Sequence, residues 1–199
     1  MEIFVVKTAG FCFGVKRAIN IAYDAAKEAS EDIYTLGPII HNPQVVSKLE
    51  ESKIYAKKNL DDIKSGTVII RSHGGTLEEL NAAKNKSLKI VDATCPFVKK
   101  AQEHAEELSK DGYFVVVVGE RVHPEVKSIV SYGNKNVMVL ESAVDVKKVS
   151  RVKKIGIVAQ TTQSIENLQA IVSECLKKAG ELKVYNTICN ATYVRQTES

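Results

Sequence analysis

The run Tyr113-Phe114-Val115-Val116-Val117-Val118 does most to limit what this chain can become. Its apolar side chains fall on both faces of a strand, so neither face can be left to water. Such a strand belongs in a parallel sheet with helices packed above and below it. It ends at Gly119-Glu120-Arg121-Val122-His123-Pro124-Glu125, a turn with proline near a helix start. Proline is tolerated there because the N–H it lacks has no helical partner anyway.

The same strand-then-helix plan recurs along the whole chain. A strand at residues 3–6 leads to a helix over 13–29, with Val15, Ala18, Ile19, Ala22 and Ala26 on one face. A strand at 33–35 runs into Gly37-Pro38-Ile39-Ile40-His41-Asn42-Pro43, where Asn42 reads as an N-cap and Pro43 as the first helical residue. The β-branched run 67–70 ends at Arg71-Ser72-His73-Gly74-Gly75, and Thr76-Leu77-Glu78-Glu79 is a capping box. A buried run at 88–91 reaches Cys95, and Pro96 opens a helix over 96–110 with Val98, Ala101, Ala105 and Leu108 inward. Strands follow at 137–140 and 155–159, then a helix from the Gln160–Ser164 turn to about residue 178, then a strand at 182–185. This alternation specifies an α/β fold with parallel sheets. Sites in such folds lie beyond the carboxyl ends of the strands.

The chain has 199 residues, 44% hydrophobic and 26% charged, enough for one large or two small domains with a substantial core. A net charge of +4 suits an anionic small molecule and is too weak to argue for nucleic acid or a membrane. The first residues read as a strand rather than a signal peptide, and no apolar run is long enough to span a bilayer. In a chain that is not exported, four cysteines point to metal binding, catalysis or burial rather than disulfides. The expected compartment is a reducing cytoplasm.

Three of the cysteines share one setting. Cys12, Cys95 and Cys189 each follow a short apolar strand and open a helix, as a site assembled at several strand ends requires. Cys175 lies instead on the apolar face formed with Ile165, Leu168, Ile171, Val172 and Leu176, and reads as core. No C-x-x-C pair is present, so spacing alone leaves an iron–sulfur cluster, a zinc site and a lone nucleophile all open. His41, His73 and His123 each stand where a helix begins, and helix N-termini with added imidazoles suit phosphate. His104, among Glu103, Glu106 and Glu107, reads as a solvated residue. Glu125 either answers a helix dipole or passes protons beside a metal. Thr161 and Thr162 are either caps or ligand hydroxyls. No Walker loop, G-x-G-x-x-G or nucleophile elbow occurs.

These strand-end residues form a repeat. His41 follows Cys12, and His123 follows Cys95, at nearly the same interval, with His73 and Thr161 in corresponding later positions. A third copy begins at Cys189. The expected organisation is a first α/β lobe at 13–95 and a second at 96–188, with 1–12 and 189–199 belonging to an incomplete third. From the residues alone, an iron–sulfur site, a zinc hydrolase with Glu125 as base, and a non-catalytic anion-binding α/β module all stay open.

Seven motifs in order narrow this further. Gly10-Phe11-Cys12-Phe13-Gly14-Val15, Ile40-His41-Asn42-Pro43, Arg71-Ser72-His73-Gly74, Asp92-Ala93-Thr94-Cys95-Pro96, His123-Pro124-Glu125-Val126, Gln160-Thr161-Thr162 and Cys189-Asn190-Ala191-Thr192 resemble those of the 4-hydroxy-3-methylbut-2-enyl diphosphate reductases. The resemblance covers essentially the whole chain. It implies small parallel-sheet lobes arranged with pseudo-threefold symmetry around a [4Fe–4S] cluster held by Cys12, Cys95 and Cys189. It makes His41, His73 and His123 diphosphate ligands, Glu125 the proton-delivering acid, and Thr161 and Thr162 substrate-side hydroxyls. The implied reaction removes an allylic hydroxyl as water, giving isopentenyl and dimethylallyl diphosphates, with electrons from a ferredoxin or flavodoxin. Family members continue with a third lobe carrying a Ser/Asn motif for the diphosphate, so the expectation is two lobes and the start of a third.

Overall fold

The computed structural model describes residues 9–192 and 194. The strand expected at 3–6 lies outside the described residues. The chain divides into two compact units, one of Phe13–Lys99 and one from Lys100 onward together with the N-terminal stretch ending at Cys12.

The first unit runs α1 (Phe13–Glu28), β1 (Ile33–Leu36), α2 (Pro43–Glu51), β2 (Ile54–Lys57), β3 (Thr67–Ile70), α3 (Leu77–Asn85) and β4 (Lys89–Asp92), with a short 3-10 turn at Leu60–Asp62. Its sheet has the order β2-β1-β3-β4, every pair parallel. Ala18, Ala22, Leu49, Ile33, Ile54 and Ile69 close one face of the sheet, where α1 and α2 pack. Leu36, Val68, Ile63, Ala83 and Leu88 close the other under α3. The helix ends follow local chemistry. Asn42 Oδ1 accepts the Val45 N–H, with Pro43 as first helical residue. At α3, Thr76 and Glu79 form the reciprocal capping box.

The second unit repeats the plan. It runs from α4 (Pro96–Lys110), which begins in the first unit, through β5 (Phe114–Val118), α5 (Pro124–Tyr132), β6 (Val137–Leu140), β7 (Val152–Ala159), α6 (Ile165–Leu176) and β8 (Ala179–Val184). A 3-10 segment at Ala143–Lys148 precedes β7. The sheet order is β6-β5-β7-β8, again wholly parallel and identical in connectivity to the first. Val115 and Val117 pack with Ala101, Ala105, Leu108, Val126 and Ile129 on one face. Val116 and Val118 pack with Ile155, Ile157, Leu168, Ile171 and Cys175 on the other. Burial of each of these valines is worth about 1.5–3 kcal/mol, which is why this strand forms the centre.

Two expectations need correction here. The run before Cys95 was expected to be buried; β4 is instead an edge strand with Lys89 and Asp92 exposed and Ile90 and Val91 half-buried. An edge strand is covered along one side by its neighbour only, and its lysine and aspartate mark that open edge. His104 is not simply solvated. Its ring stacks on Tyr185, with centroids 3.7 Å apart and 11° between planes, and Tyr185 donates to Glu107 at 2.6 Å.

Candidate functional site

In each sheet the chain leaves the first strand on one side and returns on the other, so the strand order reverses between β1 and β3, and between β5 and β7. Loops leaving the carboxyl ends of such a pair diverge and open a crevice where ligands bind. The sequence-predicted polar residues lie at these two crevices.

In the first unit, the loop after β1 carries His41 and the loop after β3 carries His73. Their rings approach to 4.8 Å between centroids, tilted by 34°. Ser72 ties the two loops together: its backbone N–H and its hydroxyl both donate to the Ile39 carbonyl, at 3.3 and 3.0 Å. Arg71 lies over Gly37, whose φ of +72° suits glycine and whose missing side chain leaves room for the guanidinium. Burial lowers the pKa of Arg71, opposed by the charge of Glu79.

Cys95 is placed by several contacts within this unit. The Ala93 N–H donates to the carbonyl of Ile70, and that of Cys95 to the carbonyl of Ser72, carrying the β3–β4 pairing past the strand ends. Asp92 Oδ1 accepts the Thr94 N–H at 2.9 Å, and Asp92 Oδ2 meets Lys99 Nζ at 2.6 Å. Burial opposes ionisation of Asp92, but the bonds from Lys99 and Thr94 outweigh it and hold the carboxyl below its ordinary value. Arg17 on α1 donates to the Thr94 carbonyl at 3.1 Å. The half-buried Cys95 sulfur then lies against Gly14, where a Cβ would come within 2.5 Å of Sγ.

In the second unit, His123 is the N-cap of α5 and its Nδ1 accepts the Glu125 N–H at 3.1 Å. In a neutral ring the proton then resides on Nε2. The Glu125 carboxyl is 1% exposed. Thr161 donates to it twice, from its N–H at 2.6 Å and its hydroxyl at 3.0 Å. Burial raises the Glu125 pKa, and the two bonds from Thr161 only partly oppose this. A carboxyl so placed keeps its proton to a higher pH than a free glutamate does. Thr162 is exposed and its hydroxyl accepts from Gln160 Nε2 at 2.9 Å. Cys189 donates its N–H to the Thr161 carbonyl at 2.8 Å, just as Cys95 does to Ser72.

The repeat is real but its register is shifted from the sequence expectation. The caps that correspond are Asn42 and His123, so His41 stands one residue ahead of the position His123 occupies. By the cysteine N–H bonds, Thr161 corresponds to Ser72 rather than to His73. Interval counting missed this because the loops differ in length, whereas strand ends and caps are fixed by hydrogen bonds. Gln160, 2% exposed, was not singled out by itself; its amide joins the Glu120 N–H to Thr162 and so shapes the second crevice. The signal available for it was a buried strand running directly into Gln-Thr-Thr.

Cys12, half-buried, immediately precedes α1, and Cys175 is fully buried on α6. Burial pushes the Cys175 thiol up to about 11, with the charge of Glu174 adding to it. This thiol stays protonated, while the other three are half-buried, Cys12 and Cys95 directly before helix starts and Cys189 after β8. Soft thiols so placed, one above a hollow that a Cβ would fill, fit a thiolate-bound iron–sulfur group.

Fold and site together define a class: duplicated parallel α/β units that carry thiols, imidazoles and a buried carboxyl at the carboxyl ends of their strands. Within that class, the chain belongs to the LytB protein family, whose model matches residues 3–199. It is 59% identical to the 4-hydroxy-3-methylbut-2-enyl diphosphate reductase of Pelobacter propionicus, over 100% of this chain and 71% of that protein. It is 55% identical to the reductase of the same name from Trichlorobacter lovleyi, with the same coverage. A solved structure of (E)-4-hydroxy-3-methyl-but-2-enyl diphosphate reductase, described as the terminal enzyme of the non-mevalonate pathway, matches 98% of this chain and 71% of its own. Its TM-score is 0.88 and its identity 45%. The E-1-hydroxy-2-methyl-but-2-enyl-4-diphosphate reductase from Plasmodium falciparum matches 94% of this chain and 61% of its own at a TM-score of 0.89 and 32% identity.

Proposed function

We propose that this chain carries out the reaction of its relatives, the reductive removal of the allylic hydroxyl of 4-hydroxy-3-methylbut-2-enyl diphosphate as water. The products are isopentenyl and dimethylallyl diphosphate. The reading rests above all on one observation: a buried Glu125, its pKa raised by that burial, bonded twice to Thr161 at the same strand ends that carry Cys189.

Cys12, Cys95 and Cys189 would hold a [4Fe–4S] cluster. When bound, that group supplies electrons one at a time and a Lewis-acidic iron. The donor of those electrons is of the ferredoxin or flavodoxin class. His41, His73 and His123 bind the diphosphate, with His123 donating through Nε2 because its Nδ1 is committed to the helix cap. Binding energy from this remote group is spent on aligning the hydroxyl-bearing carbon for reaction. Glu125 gives its proton through Thr161. The hydroxyl of Thr161 can accept from the protonated carboxyl and turn its own hydrogen toward the leaving oxygen, while its N–H keeps hold of Oε1. Thr162, oriented by Gln160, faces the same crevice as a second hydroxyl donor.

Anaerobic purification and reconstitution with iron and sulfide test the reading. The expected result is a brown protein with iron and sulfide in equal amounts that turns over the allylic diphosphate with a chemical reductant. A colourless zinc protein would favour a hydrolase with Glu125 as base. A colourless metal-free protein that still binds inorganic diphosphate would leave an anion-binding module.

A further inference from the structure

We propose that Gly14 is the seat of the Cys95 sulfur: a vacant side-chain position on the first turn of α1 that lets backbone N–H groups reach this ligand and set the reduction potential of the iron–sulfur group. The inference rests on the reading of Cys95 as an iron ligand. Gly14 is the second residue of α1 and is buried. Its φ is not in the left-handed region, so conformational freedom does not account for glycine here. Glycine is a weaker helix former than alanine, which makes its presence within α1 a local cost. The space explains it. A Cβ on residue 14 would stand 2.5 Å from Cys95 Sγ and 3.3 Å from Cys95 Cβ.

That contact puts the sulfur at the end of a 16-residue helix, where the first four N–H groups have no acceptor within the helix. The positive end of the helix dipole adds to their pull on a thiolate. Hydrogen bonds to cluster sulfurs draw negative charge off the cluster and make it easier to reduce. The other two cysteine motifs lack this device, since Phe97 and Ala191 stand two residues after Cys95 and Cys189. Phe97 is 44% exposed. Cys95 is thereby the ligand through which the fold tunes the group, and Gly14 is its positioning residue.

The experiment compares wild type, Gly14→Ala and Phe97→Ala, each loaded anaerobically, by redox titration followed with electron paramagnetic resonance. Gly14→Ala is expected to shift the midpoint potential negative, while Phe97→Ala leaves it unchanged. An unshifted potential in Gly14→Ala at wild-type iron content overturns the proposal. Should Gly14→Ala hold no iron, metal-free chains decide. Gly14→Ala must then lower the urea midpoint by more with Cys95 present than in a Cys95→Ala background, because the 2.5 Å clash needs the sulfur while the 3.3 Å contact with the residue 95 Cβ stays. An equal loss of stability without the sulfur overturns the proposal. A wild-type chain that takes up no iron defeats the proposed function instead, and the same metal-free comparison still decides whether the sulfur lies on Gly14.

Discussion

Thr161 grips both oxygens of Glu125, its N–H on Oε1 at 2.6 Å and its hydroxyl on Oε2 at 3.0 Å, in a setting where the carboxyl is 1% exposed. The backbone bond is fixed by the strand end, while the hydroxyl can rotate. One residue therefore both holds the carboxyl in place and, in the proposed function, offers a way out for its proton.

Glu125→Gln keeps the shape of this contact and removes the proton. In the loaded enzyme, turnover is expected to fall by at least ~10²-fold, the size of a lost general acid, with iron content unchanged. Stability carries a second signature. Because the folded-state pKa is raised, the native chain binds more protons than the unfolded chain between the ordinary carboxylate value and the raised one. Stability therefore falls as pH rises through that window. Urea denaturation of the metal-free chain from about pH 4 to 8 should show this fall in wild type and a flatter profile in Glu125→Gln. Identical profiles would mean that Glu125 is ionised in the folded chain.

The cysteines should separate cleanly. Replacing Cys12, Cys95 or Cys189 by Ser should strip or degrade the cluster, measured as iron and sulfide per chain. Cys175→Ser should keep it. That site is fully buried among Ile155, Leu168 and Ile171, so a hydroxyl there lowers stability by about 1–3 kcal/mol. Normal iron in all three of the first set would remove the basis of the ligand assignment.

Much of this was legible because strand interiors and helix starts obey short-range rules. The four-valine strand, the Asn42-Pro43 start and the Thr76–Glu79 box each follow from a few adjacent residues. The short strand β2 was not foreseen; only Ile54 of its four residues is buried, so it lacks a clear pattern. The seat of Cys95 on Gly14 was invisible for a different reason. It joins two residues far apart in sequence, and a glycine early in a helix carries no sign of what lies above it. The stacking of His104 on Tyr185 is hidden in the same way.

Gly156 gives a test of packing away from the site. It lies in β7, where a Cβ would come within 2.6 Å and 2.7 Å of the Leu108 methyl groups and 2.9 Å of its branch carbon. Leu108 projects from α4 into the core and is fully buried. Gly156→Ala should therefore cost about 1–3 kcal/mol, as overpacking does, although alanine is otherwise the better strand residue. Thermal unfolding of the metal-free chain measures it, and an unchanged midpoint would show that the core has slack at this point.

The proposed function gives His123 two roles that substitution can separate. As N-cap of α5 its Nδ1 accepts the Glu125 N–H, and losing a cap costs about 0.5–2 kcal/mol. In the proposed function it would also donate to the diphosphate from Nε2. Asparagine retains the first role, as Asn42 does at the start of α2, and is too short for the second. His123→Ala should therefore lose both stability and affinity, whereas His123→Asn should lose affinity alone. Thermal unfolding reports the cap, and calorimetric titration with inorganic diphosphate reports the ligand. Wild-type diphosphate affinity in His123→Asn would mean that the imidazole serves only the helix, and that anion binding at this crevice comes from the first turn of α5 itself.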